Sequence, residues 1–133
     1  MSLIEYKYEL ILNCPNAKET DITYDNYYRI TKNQDITDKD FMPQYWSQPE
    51  NVDKKFKGKE CEYQGFSCFA TLDEAKNMLN RYSALGNYIY KAKSLEEYAT
   101  IKDIGRGSFP THANVYVHKG IEETKHIVWE LEK

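Results

Sequence analysis

Three histidines, His112, His118 and His126, stand close together near the C-terminal end, and Glu130 follows them. Side chains alternate across a strand, so His112, Asn114, Tyr116 and His118 share one face of a predicted strand, and His126 and Glu130 share one face of the next. If the two strands form a hairpin with His118 opposite His126, then His118, His126 and Glu130 meet on one surface, with His112 at its end. Two imidazoles and a carboxylate suit zinc or a similar cation, and a single imidazole suits proton transfer or ligand contact. The simpler reading is a solvated polar face opposite a Val/Ile/Trp core, and a register slip of one residue moves His126 to the other side. No metal is assigned on this pattern.

Other groups carry less chemistry. Lys54-Lys55-Phe56-Lys57-Gly58-Lys59 is the basic run, and a Phe among lysines can stack a base while the lysines meet phosphates. Glu50, Asp53, Glu60 and Glu62 flank it, so a solvated loop is expected and nucleic acid is not. Asp35, Asp38 and Asp40 lack the glycine and closing Glu of a calcium loop, whose last position here is Trp46. Gly105-Arg106-Gly107-Ser108 precedes no helix and reads as a tight turn instead of a phosphate loop. Cys14, Cys61 and Cys68 are odd in number and form no C-x-x-C pair, which predicts no disulfide framework and a cytoplasmic setting, with Cys61–Cys68 as the one pairing considered.

The elements that must position these groups follow from hydrophobic periodicity. Ile4, Tyr6, Tyr8, Leu10 and Leu12 alternate with polar residues and predict a first strand. Ile22 to Thr31 reads as a second. Lys32 to Gly65 shows neither period over any length and predicts a long irregular loop 32–65, with one short helix near Thr37. Its aromatic residues, Phe41, Tyr45, Trp46, Phe56 and Tyr63, either pack on the core or line a pocket, so Tyr45 and Trp46 are ligand candidates. Gly65 to Ala70 is a short strand. Thr71 to Glu74 then forms a capping box, and Leu72, Ala75, Met78, Leu79 and Tyr82 predict a main helix over about 72–85, ended by a left-handed Gly86. Asn87–Lys93, Tyr98–Ile104, Ala113–His118 and His126–Glu132 read as strands, the last two as a hairpin. The sum is an α+β single domain over residues 1–133, with a largely antiparallel twisted sheet of about six strands and one main helix.

Composition bounds the function. The chain has 133 residues, with 18 Lys+Arg against 21 Asp+Glu and a net charge of −3. That length fits one domain with a core of its own, and the slight acidity offers no broad field for nucleic acid or anionic lipid. No run approaches the 18 or so apolar residues that a membrane span needs, and no basic stretch followed by a long apolar run marks a secretory signal.

One resemblance adds to this reading. Tyr28-Arg29-Ile30, then the aromatic loop, then Gly65-Phe66-Ser67-Cys68-Phe69-Ala70-Thr71 with Leu72-Asp73-Glu74-Ala75, then Asn87-Tyr88-Ile89-Tyr90 resemble the small bacterial ADP-ribosyltransferase-like fold over roughly residues 27–93. The resemblance implies a split antiparallel sheet holding NAD in its cleft. It implies that Arg29 contacts the NAD phosphates or ribose and that Ser67 supports the nicotinamide site. The family's late Glu pair has its sole counterpart here in Glu130-Leu131-Glu132, close to the end of the chain. Two readings stand. One is an NAD- or nucleotide-binding protein of this kind. The other is a non-catalytic module that meets a protein partner through its aromatic loop and its 12 tyrosines. A cleft bordered by Arg29 and Ser67 favours the first, and a flat aromatic patch favours the second.

Overall fold

Aromatic and β-branched residues favour extended backbone, and Tyr27-Tyr28-Arg29-Ile30-Thr31 forms the first strand, β1 (Tyr27–Thr31). The computed structural model describes residues 4–132 of the chain. Five more strands follow: β2 (Phe66–Cys68), β3 (Tyr88–Ala92), β4 (Ala99–Asp103), β5 (Ala113–Val117) and β6 (Glu130–Glu132). They form two three-stranded sheets, in the orders β1-β3-β6 and β2-β5-β4, with every pairing antiparallel. The sheets meet at one bridge, where Tyr28 and Phe69 exchange backbone hydrogen bonds of 2.7 and 3.0 Å. The chain is thus α+β, with six strands among the described residues, split between two sheets in place of one continuous sheet.

The helix predicted over 72–85 is α3 (Leu72–Arg81), followed by a separate short 3-10 turn, Ser83–Leu85. Its cap is half of the expected box. Thr71 accepts from the Glu74 amide at 3.2 Å, whereas the Glu74 carboxylate accepts from the Thr111 amide at 2.9 Å and from its hydroxyl. Leu72, Met78 and Leu79 pack on Ile30, Phe69, Ala75 and Ile89, but Tyr82 lies 53% exposed, because the helix ends before it. Gly86 is not left-handed. Its φ is 161°, and a Cβ there would sit 2.3 Å from the Thr31 carbonyl oxygen, so close backbone approach excludes a side chain.

One predicted strand and one predicted strand pairing fail at β5. β5 is the central strand of its sheet, with β2 on one edge and β4 on the other. β4 runs along all of β5 and β2 along Ala113–Val115, which leaves no edge for residues 126–132 and only the last residues of β5 for the N-terminal segment, whose Lys7 amide donates to the Val117 carbonyl at 2.8 Å. The segment around Tyr6 therefore makes a single bridge to His118 instead of a ladder, and Leu12 is 89% exposed. The predicted C-terminal hairpin does not form, and β6 adds to the free edge of β3, with Tyr90 opposite Leu131. The expected core face of that segment survives: Ile127 is buried, and Trp129 stacks on buried Phe41 at 4.7 Å.

The long loop is not bare. It winds through 3-10 turns at Asp38–Phe41 and Pro49–Asn51 and short helices α1 (Gln44–Ser47) and α2 (Glu60–Tyr63). The last helix of the chain is α4 (Glu123–His126). Phe41 and Phe56 of the loop are fully buried. The loop also covers the polar face of β5, so all five residues of that strand are buried. Asn114 donates to the Glu62 carbonyl at 2.9 Å, and the Tyr116 hydroxyl to the Cys61 carbonyl at 2.9 Å.

The cysteines differ from expectation. Cys14 is bonded to Cys61, with their Cα atoms 5.5 Å apart, while Cys68 is free and buried. A separation of 47 residues hid the pairing, and the considered Cys61–Cys68 pair does not form because Cys68 sits inside β2, under the sheet. The N-terminal segment is held further by the Ile11 amide on Gln64 at 2.9 Å and by Lys7 on fully buried Glu123. Among the described residues, no helix is long and apolar enough to cross a membrane.

Candidate functional site

Arg29 projects from β1 toward β2. Its Nη1 donates to the Ser67 carbonyl at 3.1 Å and its Nη2 to the Asp40 carbonyl at 2.9 Å. The guanidinium lies 5.1 Å from the centre of the Phe66 ring. Its Nε is buried without a partner. Burial pushes the guanidinium down to about 10, with the Cys68 and Asp40 side chains opposing the shift, so it stays charged at neutral pH. A cation held in this way, with further N–H groups left on Nη1 and Nη2, is suited to an anionic oxygen.

Ser67 and His112 come together through strand register. Ser67 pairs with Asn114 across β2 and β5, so His112, two residues before Asn114, shares that face. Ser67 Oγ lies 2.9 Å from His112 Nε2. The imidazole stacks on Phe69 with ring centres 4.9 Å apart. Its backbone is fixed on both sides, the amide donating to Phe109 at 3.1 Å and the carbonyl accepting from Ile104 at 3.1 Å. Burial pushes His112 down to about 4; the Glu74 carboxylate opposes that shift, and Arg106 and Arg29 add to it. The ring is therefore neutral at pH 7.

These side chains border one cavity of about 660 Å³, within the range of small-molecule sites. Arg29, Ser67, His112 and Asn114 line it, and so do parts of the long loop from Lys32 to Gly65. Its charged lining is cationic on balance. Arg29, Lys32, Lys39 and Lys55 stand against Asp40 and Glu62, and the Asp40 carboxylate is already taken by the Thr37 amide at 2.9 Å. Phe66, Phe69, Tyr63, Met78, Tyr82 and Leu85 supply the apolar surface. Buried Cys68, behind Ser67, is pushed up to about 12 by burial and is no thiolate nucleophile.

The remaining sequence candidates lie elsewhere. Tyr45 and Trp46 do not line the cavity; Trp46 stacks on Tyr8 at 4.4 Å, and Tyr45 meets Trp46 edge-on at 5.2 Å. His118 Nε2 bonds Thr100 Oγ1 at 3.0 Å, in a chain that continues to the Tyr6 hydroxyl. His126 is exposed, and its Nδ1 accepts from the Glu122 amide at 2.9 Å. Glu130 sits on β6 opposite Lys91 and is solvated. The His118–His126–Glu130 constellation thus dissolves with the hairpin, and among the described residues no group of three or more His, Cys, Asp or Glu could hold a metal ion. Phe56 of the basic run is fully buried against Tyr63 at 4.1 Å and offers no ring to a base. Sequence reasoning missed Lys32 and Lys39 and did not bring Asn114 or Lys55 to this site, because their meeting depends on how the loop folds over β5. Only the lysine content of the loop hinted at them. No family model matches the chain, and no curated protein and no solved structure matches it.

Proposed function

We propose that the cavity binds NAD or a related nucleotide diphosphate, in the manner the ADP-ribosyltransferase-like resemblance implies. The observation that carries this reading is the meeting of Arg29 and Ser67 in one cation-lined cavity of about 660 Å³. The two antiparallel sheets, joined at the Tyr28–Phe69 bridge, support it, because the resemblance calls for a split sheet. Arg29 and the three lysines of the lining fit a diphosphate, and the exposed Tyr82 ring fits a planar base. Bound NAD would bring a nicotinamide leaving group; Ser67 would stand beside it, and Arg29 would hold the phosphates. Glu130 and Glu132 are away from the cavity lining, so NAD binding is proposed without assigning a transferase step. A cleft in place of a flat aromatic patch favours this reading over the protein-interaction module. The Cys14–Cys61 bond fits an oxidising compartment, and a cytoplasmic chain would carry these cysteines reduced. Calorimetric titration of NAD into the chain tests the proposal. Heat with a dissociation constant below 1 mM, on the order of −4 kcal/mol or stronger, that disappears in Arg29→Ala supports it. No heat at millimolar NAD removes it.

A further inference from the structure

We infer that Ser67 and His112 form a nucleophile and general-base pair that cleaves esters of anionic acids in this cavity. The inference goes beyond nucleotide binding and does not depend on it. Three features carry it. Ser67 Oγ and His112 Nε2 are 2.9 Å apart, within reach for direct proton transfer. Both line the cavity, so an ester can reach the hydroxyl. The pair is also held rigid: Ser67 by the β2–β5 ladder and by Arg29 on its carbonyl, His112 by stacking on Phe69 and by both backbone bonds. Preorganised geometry of this kind is what such chemistry requires. With Nδ1 carrying the ring hydrogen, Nε2 offers its lone pair to the Ser67 proton, and burial beside Arg106 and Arg29 makes the ring a weaker base than a free imidazole.

The step balances within the chain and its substrate. Ser67 Oγ attacks the ester carbonyl carbon while its proton passes to His112 Nε2. The carbonyl oxygen becomes an oxyanion, whose charge Arg29 offsets. Collapse breaks the bond to the leaving alcohol, which takes the proton from His112. Water then repeats the sequence on the acyl-serine, releasing the carboxylic acid and restoring Ser67. Arg29, Lys32, Lys39 and Lys55 in the lining select an acyl group that bears a negative charge.

The experiment is labelling of the intact, folded chain with a fluorophosphonate, whose phosphorus takes Ser67 Oγ as fluoride leaves. Peptide mapping should find one adduct, at Ser67, and the wild type alone decides this point. His112→Asn should slow labelling by about 100-fold, within the usual contribution of a general base, in a chain that its far-UV circular dichroism shows to be folded. Hydrolysis of p-nitrophenyl succinate should exceed that of the uncharged p-nitrophenyl butyrate. A chain without adduct at Ser67 overturns the inference, as does His112→Asn labelling at the wild-type rate. Equal hydrolysis of the two esters overturns the substrate class.

Discussion

Lowering the pH from 7 to 4 should destabilise this chain through His112 in particular. The imidazole is held neutral by burial on Phe69 beside the Arg29 and Arg106 charges, which brings it down to about 4. In the unfolded chain it titrates near 6.5. The folded value is the lower one, so the unfolded state binds more protons between about 6.5 and about 4. Stability is fully present above 6.5, falls as pH drops through this window, and levels off below 4. The full shift is worth about 3 kcal/mol at 1.36 kcal/mol per pH unit; the ring edge open to the cavity lowers that to about 2 kcal/mol. For a domain of this size that is a fall in melting temperature of roughly 8 °C. The assay is thermal or urea unfolding of wild type and His112→Asn at half-unit steps from pH 7.5 to 4. Every other titrating group, Glu74 included, stands in both chains, so the difference between the profiles isolates His112. The variant should lack the wild-type loss between 6.5 and 4. Parallel profiles would refute a buried neutral imidazole and would leave Ser67 with no base at acid pH.

Two further outcomes follow from packing and covalent linkage. Gly86→Ala should destabilise by more than about 1 kcal/mol in urea unfolding, since its Cβ would meet the Thr31 carbonyl oxygen at 2.3 Å and backbone must shift; an unchanged midpoint would mean that the contact is loose. Reduction of Cys14–Cys61 should cost about 4 kcal/mol by the chain-entropy argument for a link across 47 residues, read as a lower urea midpoint in dithiothreitol, whereas equal midpoints would show the two cysteines unlinked.

Much of the fold was legible because local signals agreed there. Thr71 followed by Glu74 and the spacing of Leu72, Ala75, Met78 and Leu79 marked α3, and the β-branched and aromatic runs marked β1, β3, β4 and β5. What failed was pairing. Alternation says which residues share a face but not which strand lies alongside, so the C-terminal hairpin was placed on an edge that β2 and β4 already occupy. The site was half legible for the same reason. His112 stood out by residue type, and Arg29 and Ser67 through the resemblance. Their meeting needed the β2–β5 register, and His112 was first grouped with His118, from which the real topology separates it in role. Phe41 and Phe56 signalled that the loop packs; it buries Asn114 and Tyr116 of the face expected to be solvated, and Asn114 and His112 become part of the cavity wall.

The central claim is that Arg29 receives a diphosphate in this cavity, and the most direct measurement compares NAD and ADP binding to wild type and Arg29→Lys at fixed ionic strength. Both ligands should bind the wild type, since the diphosphate is common to them. Lys keeps the charge but cannot copy the planar fork, so the variant should bind both at least about tenfold more weakly, or about 1.4 kcal/mol. Equal affinities in the two proteins, for either ligand, would contradict the account.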